Sequence, residues 1–273
     1  MNTNEFEACL IERGSYQTSD GLRLSITRIP GVVFLWFYLS IAAQLFRAGF
    51  TAMLGRFDTD AFKTCSYAVI GCAERCGCRF HIKGMDNIKK IDGPVVFIAN
   101  HMSTLETFAL PVMILAFRDV AIVLKRSLMR YPGLGAVLRA VQPIVVDRVN
   151  AKKDLLAVLE QGEEMLRKGR SILLFPQSTR TTQFDAAKFN TMGIRLARKA
   201  DVPIVPVAVK TDFWGTGKLI KDIGPINPEK DAWIEFGQTM TIKGNGKEQQ
   251  DATVQFILER LERWQEDQGM DNG

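Results

Sequence analysis

The chain has 273 residues, of which 47% are hydrophobic and 24% are charged. This length suits one sizeable α/β domain with a small appendage, and the ordinary charged fraction excludes gross disorder. The formal net charge of +5 suits an anionic membrane face or a phosphorylated substrate. Nucleic acid is not expected as a partner, because no helix-turn-helix, zinc-finger or RNP pattern occurs.

The cysteines predict neither a disulfide framework nor a metal site. The chain has five of them, an odd number at irregular spacing, and no C-x-x-C pair. Reduced thiols in a cytoplasmic setting are therefore expected.

An uncharged run near the N-terminus predicts a membrane contact. Arg28 and Arg47 bracket this run, which extends from Ile29 to Phe46. It barely reaches the length of about 20 apolar residues that a membrane span needs. Its aromatic residues Trp36 and Tyr38 favour the membrane interface over the bilayer centre. We therefore expect a helix embedded in one leaflet, with a single span or a buried core helix as the alternatives.

The sequence divides into a leader, a membrane segment and one large domain. Residues 1–28 are expected to form a poorly ordered leader. The stretch 59–73 predicts a second, amphipathic helix, so residues 29–77 are expected to form a membrane-associated helical hairpin. Residues 78–267 are assigned to an α/β domain, and residues 268–273 to a tail.

From residue 78 onward, short apolar runs alternate with helical periodicity. This alternation predicts an α/β fold with a mostly parallel sheet flanked by helices. The predicted strands cover residues 78–83, 94–99, 120–125, 143–147, 171–175, 203–209 and 233–236. The predicted helices cover residues 104–117, 151–168, 189–200 and 248–267. Because proline cannot donate to a sheet ladder, the strand that holds Pro203 and Pro206 is expected at an edge or to be irregular.

A histidine and a carboxylate follow the strand at 94–99. His101 lies just past the strand, where catalytic groups of open α/β sheets are found. Glu106 comes five residues later, and a carboxylate that holds the imidazole ring improves histidine as a base. Ser103 and Glu106 also match the capping box S-x-x-E, so helix capping is a second interpretation of Glu106. The other histidine, His81, lies within an alternating strand and is expected to be structural.

Two further segments carry groups that suit an anion. The loop after the strand at 171–175 offers the hydroxyl of Thr179 and the guanidinium of Arg180, and arginine suits bidentate phosphate binding. The block KRSLMRYPGLGAVLRAVQPIVVDR places Lys125 and Arg148 among apolar residues, which suits a lipid with an anionic head group. A solvated turn and a solvated charged face are the alternatives for these two segments. Motifs of serine hydrolases and of nucleotide-binding loops do not occur.

The segments NHMSTLE, KRSLMRYPGLG, FPQSTR and VPIVP, in this order, resemble the glycerolphosphate/lysophospholipid acyltransferase superfamily. The resemblance is to the bacterial 1-acylglycerol-3-phosphate O-acyltransferases in particular, and it covers about Cys78 to Val209. It implies an α/β acyltransferase domain preceded by a membrane-associated helical segment, at the cytoplasmic face of the inner membrane. It also implies acyl-CoA or acyl-carrier protein as donor, a lysolipid as acceptor, and no metal or bound cofactor.

The resemblance assigns roles to the motif residues. His101 is the catalytic base and Glu106 its carboxylate partner. The third segment and its neighbourhood recognise the acceptor, and the substrate-binding residues expected are Lys125, Arg148, Gln177, Ser178, Thr179 and Arg180. Two departures from the family pattern bear on these roles. Glu106 replaces the usual aspartate, and Gln177-Ser178 replaces the usual Glu-Gly.

The sequence thus predicts transfer of a fatty acyl group from a thioester to a lysolipid hydroxyl, in phospholipid biosynthesis. The expected acceptor is 1-acylglycerol-3-phosphate. Lyso-ornithine lipid, another lysophospholipid or a sugar lipid is the alternative acceptor. A non-catalytic membrane-binding protein on an acyltransferase scaffold and a lysophospholipase are the alternative functions.

Overall fold

The fold is taken from a computed structural model that describes residues 1–29, 31–177, 179–218 and 220–270. Within these residues the α-helices are α1 (Thr3–Arg13), α2 (Val32–Met53), α3 (Thr59–Arg75), α4 (Met85–Lys89), α5 (Leu105–Leu115), α6 (Leu134–Ala140), α7 (Ala151–Arg167), α8 (Met192–Ala200) and α9 (Lys247–Met270). The strands are β1 (Tyr16–Gln17), β2 (Phe80–Lys83), β3 (Val96–Ala99), β4 (Val120–Lys125), β5 (Ile144–Val146), β6 (Ser171–Leu174), β7 (Ile204–Lys210) and β8 (Ala232–Phe236).

The strands form one sheet in the order β1-β2-β8-β7-β3-β6-β4-β5. The neighbours from β7 to β5 are all parallel, β8 is antiparallel to β7, and β1 is antiparallel to β2. The predicted mostly parallel sheet is confirmed. Because β7, β3, β6, β4 and β5 point the same way, the loops that follow them lie along one edge of the sheet.

Helices cover both faces of the sheet. Successive residues of β3 alternate between two cores: Phe97 and Ala99 belong to one, Val96 and Ile98 to the other. The first core contains residues of α1, α2, α3 and α5, and the second contains residues of α7, α8 and α9. A strand that helices cover on both faces has apolar residues at nearly every position. These strands could therefore be predicted from continuous apolar runs in the sequence.

The strand of Pro203 and Pro206 was expected at an edge or to be irregular, and the edge position is wrong. Pro206 is inside β7, which lies between β3 and β8. Its carbonyl oxygen accepts the backbone N–H of Gly237 at 2.8 Å, just past the end of β8. Two residues earlier, Ile204 exchanges two backbone hydrogen bonds with Met240, three residues past Gly237. The pairing is therefore irregular at Pro206, as the other half of the expectation had it.

The first residues of the chain are folded, not poorly ordered as expected. Asn2 and Glu5 form a capping box at the start of α1, and Phe6 and Leu10 of this helix are fully buried. Strand β1 then pairs with β2. The i, i+4 spacing of Phe6 and Leu10 was the sequence signal for this packing. The proposed boundaries at residues 28 and 77 stay predictions.

The apolar run of the sequence becomes α2, which continues past Phe46 and through Gly49 to Met53. A Cβ atom on Gly49 would lie 2.7 Å from the Cα of Gly133, so this helix and the Pro132-Gly133 turn approach each other more closely than side chains allow. The helix is long and apolar enough to cross a membrane by length and composition. However, its buried residues extend from Val33 to Gly49, so one side of the helix packs on protein along most of its length.

Candidate active site

His101 lies two residues past β3, at the sheet edge where the parallel strands end. The side-chain amide of Asn100 ties this position to β7: its Nδ2 donates to the carbonyl of Val209, and its Oδ1 accepts the N–H of Val209, both at 2.8 Å. On the β6 side, the N–H of His101 donates to Oε1 of Gln177 at 2.6 Å, and its carbonyl accepts the N–H of Thr181 at 3.1 Å. The backbone of His101 is therefore fixed from both neighbouring strands.

His101 and Glu106 form a buried pair. The Nδ1 atom of His101 lies 2.9 Å from Oε1 of Glu106. The imidazole ring stacks on Phe175, with ring centroids 4.5 Å apart and planes inclined by 26°. A neutral His101 that donates its Nδ1–H to an ionised Glu106 carries its lone pair on Nε2. The geometry thus makes Nε2 the nitrogen that is able to accept a proton.

Glu106 is fully buried, and hydrogen bonds surround its carboxylate. Besides His101, Oε1 accepts the backbone N–H groups of Met102 at 2.7 Å and of Ser103 at 2.8 Å. Oε2 accepts the hydroxyls of Ser103 at 2.8 Å and of Thr211 at 2.5 Å. Both sequence interpretations of Glu106 therefore hold, because the same carboxylate holds His101 and caps free N–H groups before α5.

The protonation state of Glu106 follows from these contacts. Burial by itself raises the pKa of a carboxyl group, but the hydrogen bond and the charge of His101, followed by the hydrogen bond from Thr211, outweigh it. The net effect lowers the pKa of Glu106 below its ordinary value. The carboxylate is ionised at neutral pH and can stabilise a protonated His101.

Arg180 lies beside this pair, in the loop that follows β6. Its Nη1 donates to Oγ1 of Thr104, the residue before α5, and lies 2.7 Å from Oδ1 of Asp222. Thr104 also donates to the same oxygen of Asp222, at 3.3 Å. The guanidinium therefore has an anionic group as its neighbour at the start of α5.

Arg148 and Lys125 are placed farther along the same edge. Lys125 is the last residue of β4, and Arg148 lies two residues past β5 with a left-handed φ of 58°. The N–H of Arg148 donates to Asp154 at 2.8 Å, which fixes this turn. Burial lowers the pKa of Arg148, the charge of Asp154 opposes this, and the nearby positive charge of Arg180 lowers the pKa further. Two guanidinium groups thus repel each other across the loops that follow β6 and β5.

The remaining acceptor-binding predictions fall in the loop after β6. Gln177 is buried, with 4% of its surface exposed, and its side chain supports the backbone of His101. Thr179 is exposed. Ser178 lies outside the described residues. The substrate-binding assignments of Lys125, Arg148, Gln177, Ser178, Thr179 and Arg180 stay predictions.

Three residues of the site were not found from the sequence. Asn100 had a weak signal, because it directly precedes His101. Thr211 and Asp222 had none, since each lies more than 100 residues from the histidine and comes close only because β7 is the neighbour of β3. The expected structural role of His81 agrees with its contacts: its ring stacks on Trp233 and its Nε2 bonds Asp231.

Comparison with known proteins agrees with this geometry. The Acyltransferase family model matches residues 79–210, which include His101, Glu106 and Arg180. A 1-acyl-sn-glycerol-3-phosphate acyltransferase of Pseudomonas aeruginosa is 30% identical over 237 residues, which are 84% of this chain and 86% of that protein. The chain belongs to this acyltransferase family. It is accordingly an O-acyltransferase, as the four sequence segments indicated.

Other relatives extend the comparison. The human 1-acyl-sn-glycerol-3-phosphate acyltransferase beta is 28% identical over 152 residues, and the match covers 55% of this chain and 54% of that protein. The crystal structure of the 1-acyl-sn-glycerophosphate acyltransferase of Thermotoga maritima superposes with a TM-score of 0.61 at 19% identity. That superposition covers 86% of this chain and 95% of the other, and it supports the fold.

Proposed function

We propose that this acyltransferase moves a fatty acyl group from acyl-CoA or acyl-carrier protein to the free hydroxyl of 1-acylglycerol-3-phosphate, in phospholipid biosynthesis. One observation carries the proposal: the buried pair of His101 and Glu106 shares a sheet edge with Arg180 and Arg148. A proton acceptor thus shares this edge with two positive charges that suit a phosphate. The relatives named above are acyltransferases for this kind of acceptor.

The chemistry begins at Nε2 of His101. This atom takes the proton of the acceptor hydroxyl while the hydroxyl oxygen attacks the carbonyl carbon of the thioester. Glu106 stabilises the positive charge that forms on the ring. The C–S bond then breaks, and the leaving thiolate takes the proton back from His101. The ester product and the free thiol leave His101 in its starting state, with no acyl-enzyme.

The head group is proposed to bind between the loops after β6 and β5. Arginine offers two parallel N–H donors to a phosphate, and an anion placed between Arg180 and Arg148 would relieve their mutual repulsion. Strands are about 4.8 Å apart, so the loop of β6 is next to His101, and Lys125 on β4 is about 10 Å away. An acceptor held by its phosphate at Arg180 therefore places its glycerol hydroxyls near the histidine.

Gln177 stands where the family usually has a glutamate, and this difference does not favour another acceptor. Its side chain is buried, and its Oε1 accepts the N–H of His101, so it supports the base instead of facing a head group. A glutamate at this position would accept the same hydrogen bond. The structure therefore offers no observation that favours lyso-ornithine lipid.

Helix α2 is proposed to lie in one leaflet of the membrane. One side of it carries large apolar side chains that are more than half exposed, and we call this side the apolar face of α2: Leu35, Leu39, Phe46, Phe50 and Met53. These residues recur at helical spacing on one stripe, opposite the buried Phe37 and Ile41. An exposed apolar stripe of this size marks a contact surface. Because the other side packs on protein, lipid would cover only the apolar face.

The protein is proposed to act at the cytoplasmic face of the inner membrane. Its five cysteines are all free thiols, which suits a reducing compartment, and acyl thioesters are made there. The net charge of +5 favours the anionic lipids of this leaflet.

The test is a competition among acceptors in vesicles. Purified full-length protein receives one thioester donor at a time, acyl-CoA or acyl-carrier protein. It is offered 1-acylglycerol-3-phosphate, lysophosphatidylcholine and lyso-ornithine lipid at equal concentration. Mass spectrometry is expected to show phosphatidic acid as the fastest product. Faster acylation of lyso-ornithine lipid would overturn the proposed acceptor, and release of free fatty acid as the main product would overturn acyl transfer.

A further inference from the structure

The partner of Arg180 within the chain is itself an anion. Asp222 places Oδ1 2.7 Å from the guanidinium nitrogen Nη1 and 3.3 Å from the hydroxyl of Thr104. Its side chain is 42% exposed, so water is able to solvate the carboxylate when it leaves Arg180. A carboxylate therefore uses the N–H donors that a phosphate would need at the proposed head-group site.

The segment that carries Asp222 is attached to the membrane helix. The hydroxyl of Tyr38 on α2 donates to the carbonyl of Gly224 and accepts the N–H of Gly224, both at 2.8 Å. Tyr38 and Phe37 also pack edge-on against Trp214, which precedes the same segment. Residues 220–224, here called the Asp222 segment, thus end on α2, and Trp214 on the same connection also packs against this helix.

The Asp222 segment also presents apolar side chains to solvent. Ile220 is 53% exposed and Ile223 is 48% exposed, on either side of Lys221 and Asp222. Burial of these isoleucines in a bilayer is favourable, because it removes their apolar surface from water. Because Tyr38 joins this segment to α2, a bilayer that covers the apolar face of α2 lies within reach of both isoleucines.

We propose, resting on the proposed function, that Asp222 is a specificity-determining residue that competes with the acceptor phosphate for Arg180. A phosphate monoester carries more negative charge and more acceptor oxygens than a carboxylate, so it displaces Asp222, whereas an uncharged head group does not. Insertion of Ile220 and Ile223 into the bilayer holds the segment in its displaced position. The enzyme therefore discriminates against acceptors that are dissolved in water.

The test compares a water-soluble, short-chain 1-acylglycerol-3-phosphate with a long-chain one in anionic vesicles. The variant Asp222→Asn should lower the KM of the soluble acceptor about five- to tenfold, because a site that its own carboxylate occupies most of the time loses affinity in that proportion. The measured effect is the change in KM, since the competition acts on acceptor binding. With vesicles, the KM should change less than twofold. Asp222→Ala checks that the asparagine amide does not hold Arg180 in the same way.

Two controls separate this effect from a general change of charge. Glu229→Gln removes the same charge from the connection between β7 and β8, where Glu229 pairs with Arg23 and not with Arg180. It should leave both KM values unchanged. The double variant Ile220→Ser, Ile223→Ser should raise the KM of the vesicle acceptor without changing that of the soluble one.

Different results would refute the competition by Asp222 and the proposed function. If Asp222→Asn leaves the KM of the soluble acceptor unchanged or raises it, the competition is refuted although acyl transfer stands. If the wild type makes no phosphatidic acid, the proposed function is refuted, and calorimetry with the soluble acceptor alone still measures the competition. Equal affinity of wild type and Asp222→Asn in that titration would overturn the inference.

Discussion

At the scale of single residues, we expect catalysis to depend on the negative charge of Glu106 as well as on its shape. Glu106→Gln keeps an oxygen for the N–H groups of Met102 and Ser103 but removes the charge that stabilises protonated His101. We expect kcat to fall by at least about a hundredfold, since positioned acid–base catalysis contributes roughly 10² to 10⁴. Glu106→Asp keeps the charge on a shorter arm and should retain more activity. Equal activity of Glu106→Gln and wild type would leave Glu106 with the capping role alone.

The lowered pKa of Glu106 has a consequence for stability. A carboxyl group whose pKa is lower in the folded state stabilises the fold above its unfolded pKa of about 4.3, and this stabilisation disappears as the pH falls through the folded pKa. The free energy of unfolding of wild type minus that of Glu106→Gln, measured by urea unfolding at each pH, should therefore shrink as the pH falls below about 4.3. A difference that grows on acidification below this pH would contradict the assignment.

How far the sequence predicts this site depends on how near its residues lie along the chain. His101 and Glu106 are five residues apart, so their pairing was visible in one motif. The hydroxyl of Thr211 comes from the end of β7, and only the neighbouring positions of β3 and β7 bring it to Glu106. The pairing of Arg180 with Asp222 was invisible for the same reason. The pairing of residues that are close in the sequence was predictable. Contacts that depend on which strands are neighbours in the sheet were not.

At the scale of elements, the docking of α2 depends on a glycine. A Cβ atom on Gly49 would lie 2.7 Å from the backbone of Gly133, whereas one on Gly71 in α3 meets nothing within 4 Å. We expect Gly49→Ala to lower the free energy of unfolding by about 1–3 kcal/mol, as overpacking does. Gly71→Ala should raise it by about 0.5–1 kcal/mol, because alanine favours the helix. Chemical unfolding measures both, and equal effects of the two changes would contradict the close approach.

The element boundaries show what the sequence pattern could reveal. The predicted strand at 120–125 coincides with β4, and each other predicted strand overlaps an observed one. Continuous apolar runs between helical stretches carry this information. The place of β7 within the sheet did not follow from Pro206, because a proline is tolerated where the pairing of a strand is irregular. The close approach of Gly49 and Gly133 did not follow from the sequence either, since the two residues are distant along the chain.

The membrane contact also belongs to an element, and it is testable without truncation. Removing the N-terminal residues would destroy α1 and β1, which are part of the fold. Instead, Leu39 and Phe46 on the apolar face of α2 are changed to serine. The matched control changes Ile11 and Leu156, which are exposed apolar residues on other helices. Vesicle flotation should show weaker binding for the first pair only, and equal binding of both variants would place the membrane contact elsewhere.

At the scale of the whole molecule, the fold places the proposed base, the proposed head-group cations and the connection to α2 at one edge of the sheet. The loop after β3 holds the base, and the loops after β6 and β5 hold the proposed head-group cations. The connection after β7 joins both to α2, through Thr211 at one end and Gly224 at the other. An acceptor that lies in the leaflet beside α2 therefore has its head group and hydroxyl near the groups that act on them. This arrangement would allow the α/β domain to act on a lipid.

The central claim is that His101 is the base for acyl transfer, and one comparison of rates tests it most directly. Phosphatidic acid formation from acyl-CoA and 1-acylglycerol-3-phosphate is measured for wild type, His101→Ala and His81→Ala, which replaces the only other histidine of the chain. We expect His101→Ala to lose about 10² to 10⁴ in kcat while it keeps its fold by circular dichroism, and His81→Ala to keep its kcat. A folded His101→Ala enzyme with near-normal kcat would contradict the account.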